Sequence, residues 1–424
     1  MLIPFLWLIV LIGSTPAIVF FDGPMERGIM AAATALATAM VGALMRSGDA
    51  GRLAPWVARW APVAALPALW MALQAVPIPL SSLAHPIWTD AAAALNSPVV
   101  GAISIDPGMT LLALGRYLFP LGVGFVAAAV AIDRERAQWT LFVLVGTTTV
   151  LAAVVIAAGR AGLGAGAADG AAIATAALGT IISAAATLHA AEKIEMLRER
   201  TNGAIARSAA VFVACAFAWA ICGYAVVHSS PKQIQFAAAC GLAVLALIVA
   251  ARRIGVGIQI VMAIAAAGLV AAVGIAASGA DTGDPFLRFA VAEPVPAIER
   301  MLADTGLAGS GGGTVSALLP IYGTVADIAS GATASTAAAA GAIELGRPMW
   351  VLLVVIAIAA AGALLWAALR RGRDWCYPGA AASCIIAAVL ESFVDLTLFA
   401  TAVMVITSAA IGLGLAQSVG RSVR

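Results

Sequence analysis

Charge is what this chain has least of. Only 10% of its 424 residues are Asp, Glu, Lys or Arg, against 63% apolar, and the mean hydropathy is +1.04. Soluble globular domains carry roughly 25% charged and about 45–50% apolar residues, so that class is excluded. Histidine is nearly absent, with only His85, His189 and His228. The five cysteines, Cys215, Cys222, Cys240, Cys376 and Cys384, lie in or beside apolar runs without metal-ligand spacing. They read as small core hydrophobes, which excludes a zinc site and a disulfide framework. No metal, other cofactor or nucleic acid is expected. The first apolar run, Leu2 to Phe21, lacks a basic n-region and is too long for an ordinary signal-peptide core, so it reads as a membrane span.

What is there is a series of apolar runs, each of the length an α-helix needs to cross the hydrocarbon core, with none of the ten-residue alternation of an outer-membrane barrel. The expected fold is an all-α integral membrane protein of about twelve spans, near 2–21, 28–45, 60–76, 109–132, 138–158, 170–191, 208–227, 234–251, 256–277, 349–369, 379–397 and 399–417. The division near 397–399 is the finest of these. Three regions follow: helices 1 to 9 over 1–277, with an interfacial outer loop at 77–108; a large loop or cap at 278–348; and helices 10 to 12 over 349–424. No internal repeat is visible, which weighs against a transporter.

Orientation follows from the basic residues, because Lys and Arg are retained on the cytoplasmic side. Arg46, Arg52, Arg59, Arg134, Arg136, Lys193, Arg198, Arg200, Arg207, Arg252, Arg253, Arg370, Arg371 and Arg373 all fall in connections of one parity, and Arg421 and Arg424 in the C-terminal tail share their side. Arg27, Arg160, Lys232, Arg288, Arg300 and Arg347 fall in the other. Both termini are therefore expected in the cytoplasm and the large loop outside. That loop, with its glycine cluster at Gly309 to Gly313, is long enough to be functional or disordered. The amphipathic stretch Pro296 to Leu302 argues for a folded cap.

Among intramembrane charges, Arg116 lies about two turns into the fourth span, where it either serves a site or snorkels outward. Glu391 and Asp395 are four apart, on one helix face. Proton coupling is one reading and pairing with a bundle arginine the other, and we favour the pairing. His85, before Pro86, reads as interfacial, without chemistry.

Several outward-facing motifs, in order, resemble the O-antigen ligase and polymerase family of bacterial inner-membrane proteins. They are Val76-Pro77-Ile78-Pro79 with Ser104-Ile105-Asp106-Pro107; Arg160 and its glycine-rich follow-up to Asp169; and Ser229-Ser230-Pro231-Lys232. The large loop adds Arg288, Gly309-Ser310-Gly311-Gly312-Gly313-Thr314-Val315, Pro320-Ile321-Tyr322 and Glu344-Leu345-Gly346, and Ser392-Phe393-Val394-Asp395 closes the set.

The resemblance implies an enzyme at the periplasmic face of the inner membrane. It would polymerise or ligate glycans carried on undecaprenyl pyrophosphate in surface-polysaccharide assembly, alongside other assembly proteins. Arg116, Arg160, Lys232 and Arg288 would hold the pyrophosphate, and backbone N–H groups at Gly311 and Gly313, with Tyr322, would approach phosphate or sugar oxygens. One departure stands out. Where the family carries a loop histidine, nine residues before Glu344, this chain has Ser335. Either Asp327 or Glu344 takes over as base, or the reaction has been lost. The alternatives are a non-catalytic subunit that binds a lipid-linked glycan or a partner complex and, behind it, a transporter or flippase.

Overall fold

A computed structural model describes residues 1–21, 23–78, 84–161, 167–197, 202–255, 257, 259–268, 284–291, 296–324 and 336–419. Among them there is no strand. The helices are α1 (Leu2–Gly13), α2 (Thr15–Phe20), α3 (Pro24–Leu44), α4 (Ser47–Ala75), α5 (Ile87–Leu95), α6 (Pro107–Val130), α7 (Arg134–Arg160), α8 (Ala167–Leu197), α9 (Asn202–Ser229) and α10 (Lys232–Ile254). They continue with α11 (Gln259–Gly268), α12 (Pro296–Asp304), α13 (Val315–Tyr322), α14 (Ala337–Leu345), α15 (Arg347–Arg370), α16 (Cys376–Glu391) and α17 (Thr401–Val419).

Ten of these segments, with α1 and α2 taken together, are long and apolar enough to cross a membrane. The chain is a multi-pass, all-helical membrane protein. Of the twelve expected spans, that near 256–277 is described only over α11, its remainder lying outside the described residues. That near 379–397 is the 16-residue α16. α16 stops at Glu391, and the backbone turns at Ser392 to Val394. Asp395 therefore lies beyond the helix end, which corrects its expected place on the same helical face as Glu391.

Local sequence explains the helix boundaries. Asp106 caps α6 by accepting the Met109 N–H at 3.0 Å, and Pro107 occupies its first turn, where a missing N–H costs nothing. Asp133 does the same for α7 through Glu135 N–H. α1 gives way to α2 at Ser14, just before Pro16, which lacks the donor that a continuous helix would use. α8 and α17 are the most enclosed spans, and their small residues let backbones approach closely. A Cβ at Gly412 would collide with the Gly124 carbonyl, and one at Gly241 with the Ile181 side chain.

The bundle has two chemically distinct ends. At one, the Arg134 guanidinium meets Asp374 at 2.7 Å, Arg252 donates to the carbonyls of Ala368, Arg371 and Gly372, and Arg370 covers the Trp366 ring at 3.9 Å. At the other, α12, α13 and α14 build a cap with its own apolar core of Phe286, Ile298, Met301, Leu302, Leu319 and Ile343, seated on Trp350 of α15. α12 buries Ala297, Ile298, Met301 and Leu302, as its amphipathic sequence predicts. Arg347 anchors the cap to α15 by pairing with Asp284 and donating to the Leu302 carbonyl at 3.0 Å.

Candidate functional site

The glycine loop lies between the cap-side ends of α4 and α6 and the C-terminal end of α14. Ser104 N–H donates to the Gln74 carbonyl at 3.0 Å, Ile105 N–H to the Ser310 carbonyl at 2.9 Å, and Ser310 N–H to the Ile343 carbonyl at 2.9 Å. Gly311 N–H reaches the Glu344 carbonyl at 2.9 Å. Gly309 and Gly311 have φ of +74° and +106°, a left-handed region that side chains rarely enter. A Cβ at Gly309 would strike the Glu344 carbonyl, and one at Gly311 the Ser104 hydroxyl.

Glu344 is the chemical centre of this arrangement. Its carboxyl accepts the backbone N–H groups of Gly313 and Val315, and the Arg116 guanidinium lies close enough to favour its charge. Enclosure outweighs all three and pushes its pKa from 4.5 up to about 7. Arg116 itself is exposed on α6. The loop amides at Gly311 and Gly313 are thus spent on Glu344 rather than left for phosphate, because the glycines bring the loop backbone against α14. Tyr322 closes α13, its hydroxyl bonded to Asp304; burial first, and then the Asp304 charge, raise its pKa.

The other expected cations lie elsewhere on the cap side. Arg160 ends α7 and Lys232 opens α10, both exposed beside an apolar cluster that contains Ile156, Ile234, Val226 and Val394. Phe289 packs on that same cluster, while Leu287 belongs to the cap core, so Arg288 sits between the two. Arg116 with Glu344 forms one group, and Arg160, Lys232 and Arg288 border another. Asp327 and Ser335, the remaining candidates for the base and its position, lie outside the described residues.

Two residues that sequence reasoning passed over hold the site together. Gln74 is fully buried, and its Nε2 donates to the Ala308 carbonyl at 2.8 Å and the Glu344 carbonyl at 3.0 Å. Trp70 Nε1 donates to the Leu345 carbonyl at 2.9 Å. The available signal was a lone amide at the end of an apolar run. Ser104 and Asp106 prove structural in this geometry: the Ser104 hydroxyl bonds that of Thr110 at 2.7 Å, and Asp106 caps α6. His85 is also structural, its Nδ1 accepting the Ile87 N–H, and burial lowers its pKa.

Chemically, the site offers a carboxyl that titrates near neutrality, with an exposed cation beside it and a rigid backbone around it. Among the described residues no group of three or more His, Cys, Asp or Glu side chains is placed to hold a metal ion. In comparisons with known proteins, no family model, no curated protein and no solved structure matches this chain.

Proposed function

We propose that the protein acts on glycans carried by undecaprenyl pyrophosphate at the periplasmic face of a bacterial inner membrane, as a polymerase or ligase related to the O-antigen ligase family. The observation that carries this reading is Glu344, a carboxyl with a pKa of about 7 set beside Arg116. Transfer of a glycan from a lipid pyrophosphate needs a base for the attacking sugar hydroxyl and cations for the leaving group. A base works best when its pKa is near the operating pH. Glu344 has that property without a histidine, so it compensates for Ser335. Arg116 is the cation nearest to it, and Arg160, Lys232 and Arg288 serve the more distant parts of the lipid-linked substrate.

The same reading places twelve spans in the membrane, both termini in the cytoplasm and the 278–348 cap in the periplasm between helices 9 and 10. The concentration of Arg and Lys at the end away from the cap supports that orientation. A second reading is favoured by one observation: with two backbone N–H groups already bound to Glu344, its carboxyl also acts as a structural clamp. In that case the protein is a non-catalytic subunit that binds the lipid-linked glycan or a partner complex.

Purified protein with a lipid-linked oligosaccharide and its acceptor separates the two. As a base, Glu344 makes the rate rise with pH to a plateau above about 7, and Glu344→Gln lowers it by about 10²-fold or more. Arg116→Met, which removes a favourable charge, moves the midpoint upward. Transfer that survives Glu344→Gln with an unchanged pH profile defeats the assignment. No transfer at all, with binding that weakens on Arg288→Ala, selects the non-catalytic subunit.

A further inference from the structure

Glu391, the last residue of α16, is 1% exposed, and neither of its carboxyl oxygens has a hydrogen-bond partner among the described residues. The arginine expected from the sequence to pair with it is not among those residues either. An enclosed carboxylate with no partner is among the costliest groups a protein can hold, and such a group stays neutral instead. A metal cation is a poor alternative occupant, since it needs several ligands and no group of three or more His, Cys, Asp or Glu side chains among the described residues is placed to supply them. A proton needs only one.

The surroundings reinforce this choice. The charge nearest Glu391 is that of Asp395, one turn on, whose Oδ1 accepts the Thr397 N–H at 2.9 Å and the Thr397 hydroxyl. Asp395 thus has two donors that favour its carboxylate form while Glu391 has none, and two carboxylates this close resist being ionised together. The Cys384 thiol, two turns down α16, in turn feels the Glu391 charge. Of the elements packed on α16, α17 has no titratable side chain, α10 brings Lys232 and Cys240 and, at its far end, Arg252 and Arg253, and α15 has Arg347, already paired with Asp284, and Arg370 at its far end. α8 carries His189, Glu192, Lys193 and Glu195 near its opposite end, and Asp169, whose side chain is outside the described residues, at its start, while the segment 284–291, which meets the turn through Val291 N–H on the Val394 carbonyl and Phe286 on Phe393, brings Arg288 and Asp284, the latter paired with Arg347.

The turn that follows Glu391 is also where α14 begins. Ala338 N–H donates to the Ser392 carbonyl and Ala337 N–H to the Asp395 carbonyl, each at 2.8 Å, while Val394 N–H folds back on the Glu391 carbonyl at 2.9 Å. The far end of α14 carries Glu344. Ionising Glu391 would require water beside it, and loosening this turn, which those hydrogen bonds hold shut, would admit it.

We infer that Glu391 is a proton-binding site whose occupancy governs the seating of α14, and through it the position of Glu344. Release breaks the O–H bond at the Glu391 carboxyl and passes the proton to entering water; rebinding reverses this. The inference does not rest on the glycan reading, since it concerns the buried turn alone.

The test uses the full chain in lipid nanodiscs, with infrared titration of carboxyl bands and amide exchange of residues 336–345. Beyond the Glu344 band that both proteins share near neutrality, the wild type minus Glu391→Gln difference spectrum should show a further protonated-carboxyl band at neutral pH that fades on alkalinisation. As it fades, protection of the α14 amides, corrected for the base-catalysed rise of intrinsic exchange with pH, should fall by at least about tenfold in the wild type and stay flat in Glu391→Gln. If Glu391→Gln fails to fold, Asp395→Asn reports instead: loss of the neighbouring charge should move the midpoint of the wild-type band to lower pH. A neutral-pH spectrum unchanged by Glu391→Gln overturns the proposal, as does a midpoint unmoved by Asp395→Asn or α14 protection, corrected for intrinsic exchange, that changes with pH equally in the wild type and Glu391→Gln. Loss of the band on adding sodium at fixed pH would show a metal cation in place of the proton and overturn it as well.

Discussion

Glu344 shows how one side chain can be both held and poised. Two amides and a guanidinium favour its charge, yet enclosure wins and raises its pKa from 4.5 to about 7. The folded chain therefore keeps a proton over a range in which the unfolded chain has lost it. That contribution to stability is complete below about 4.5 and disappears as pH rises through about 7, a swing of about 3 kcal/mol. Thermal unfolding in detergent should show stability falling across this window. Glu344→Gln, which keeps an oxygen to accept the Gly313 and Val315 amides, should flatten the slope, and an unaltered slope would show that another group titrates there. Glu344 was legible in the sequence as an acid in a candidate loop. Its environment was not, because that depends on Gln74, 270 residues away in the chain, and on loop amides whose direction no motif encodes.

The run from Ala337 to Leu345 teaches the corresponding lesson for an element. As sequence, GATASTAAAAG looks like a segment emptied of chemistry. In the fold the part from Ala337 on opens α14, capped by the Thr336 hydroxyl, which accepts the Ala339 N–H at 3.0 Å, and buried on nearly every face. Alanine is what fits where a helix is surrounded on all sides, and hydropathy alone cannot separate that from a plain linker. Gly341 marks the tightest approach, since a Cβ there would enter the Trp350 ring. Gly341→Ala should therefore destabilise the protein by about 1–3 kcal/mol, the usual cost of overpacking, despite the higher helix propensity of alanine. A melting temperature equal to or above that of the wild type would mean that Trp350 can swing away and that α14 is seated less firmly than its burial implies. The amphipathic α12, by contrast, was readable in advance, because its buried residues repeat with the helical period.

At the scale of the whole molecule, ten of the twelve expected spans were legible because bilayer thickness imposes a length on apolar runs, and the two ends because charge sorts them. The fold adds that residues scattered along the sequence meet at each end. Arg134, Arg252, Arg371 and Asp374 come from three separate connections and form one basic patch, while the glycine loop, Gln74, Ser104 and Glu344 form the cap side. A single chain cannot place these two groups on the same side of a bilayer without threading a span the wrong way. Reporter fusions therefore test the arrangement as a unit. A reporter that requires the periplasm should be active when fused after Gly311 and silent after Arg198 or Gly372. Activity after Gly372 would invert the whole bundle, put Glu344 and Arg116 in the cytoplasm and remove the basis for a periplasmic glycan substrate. The enclosed Glu391 would be untouched by that inversion, because its burial comes from α16 and its neighbours rather than from the side it faces.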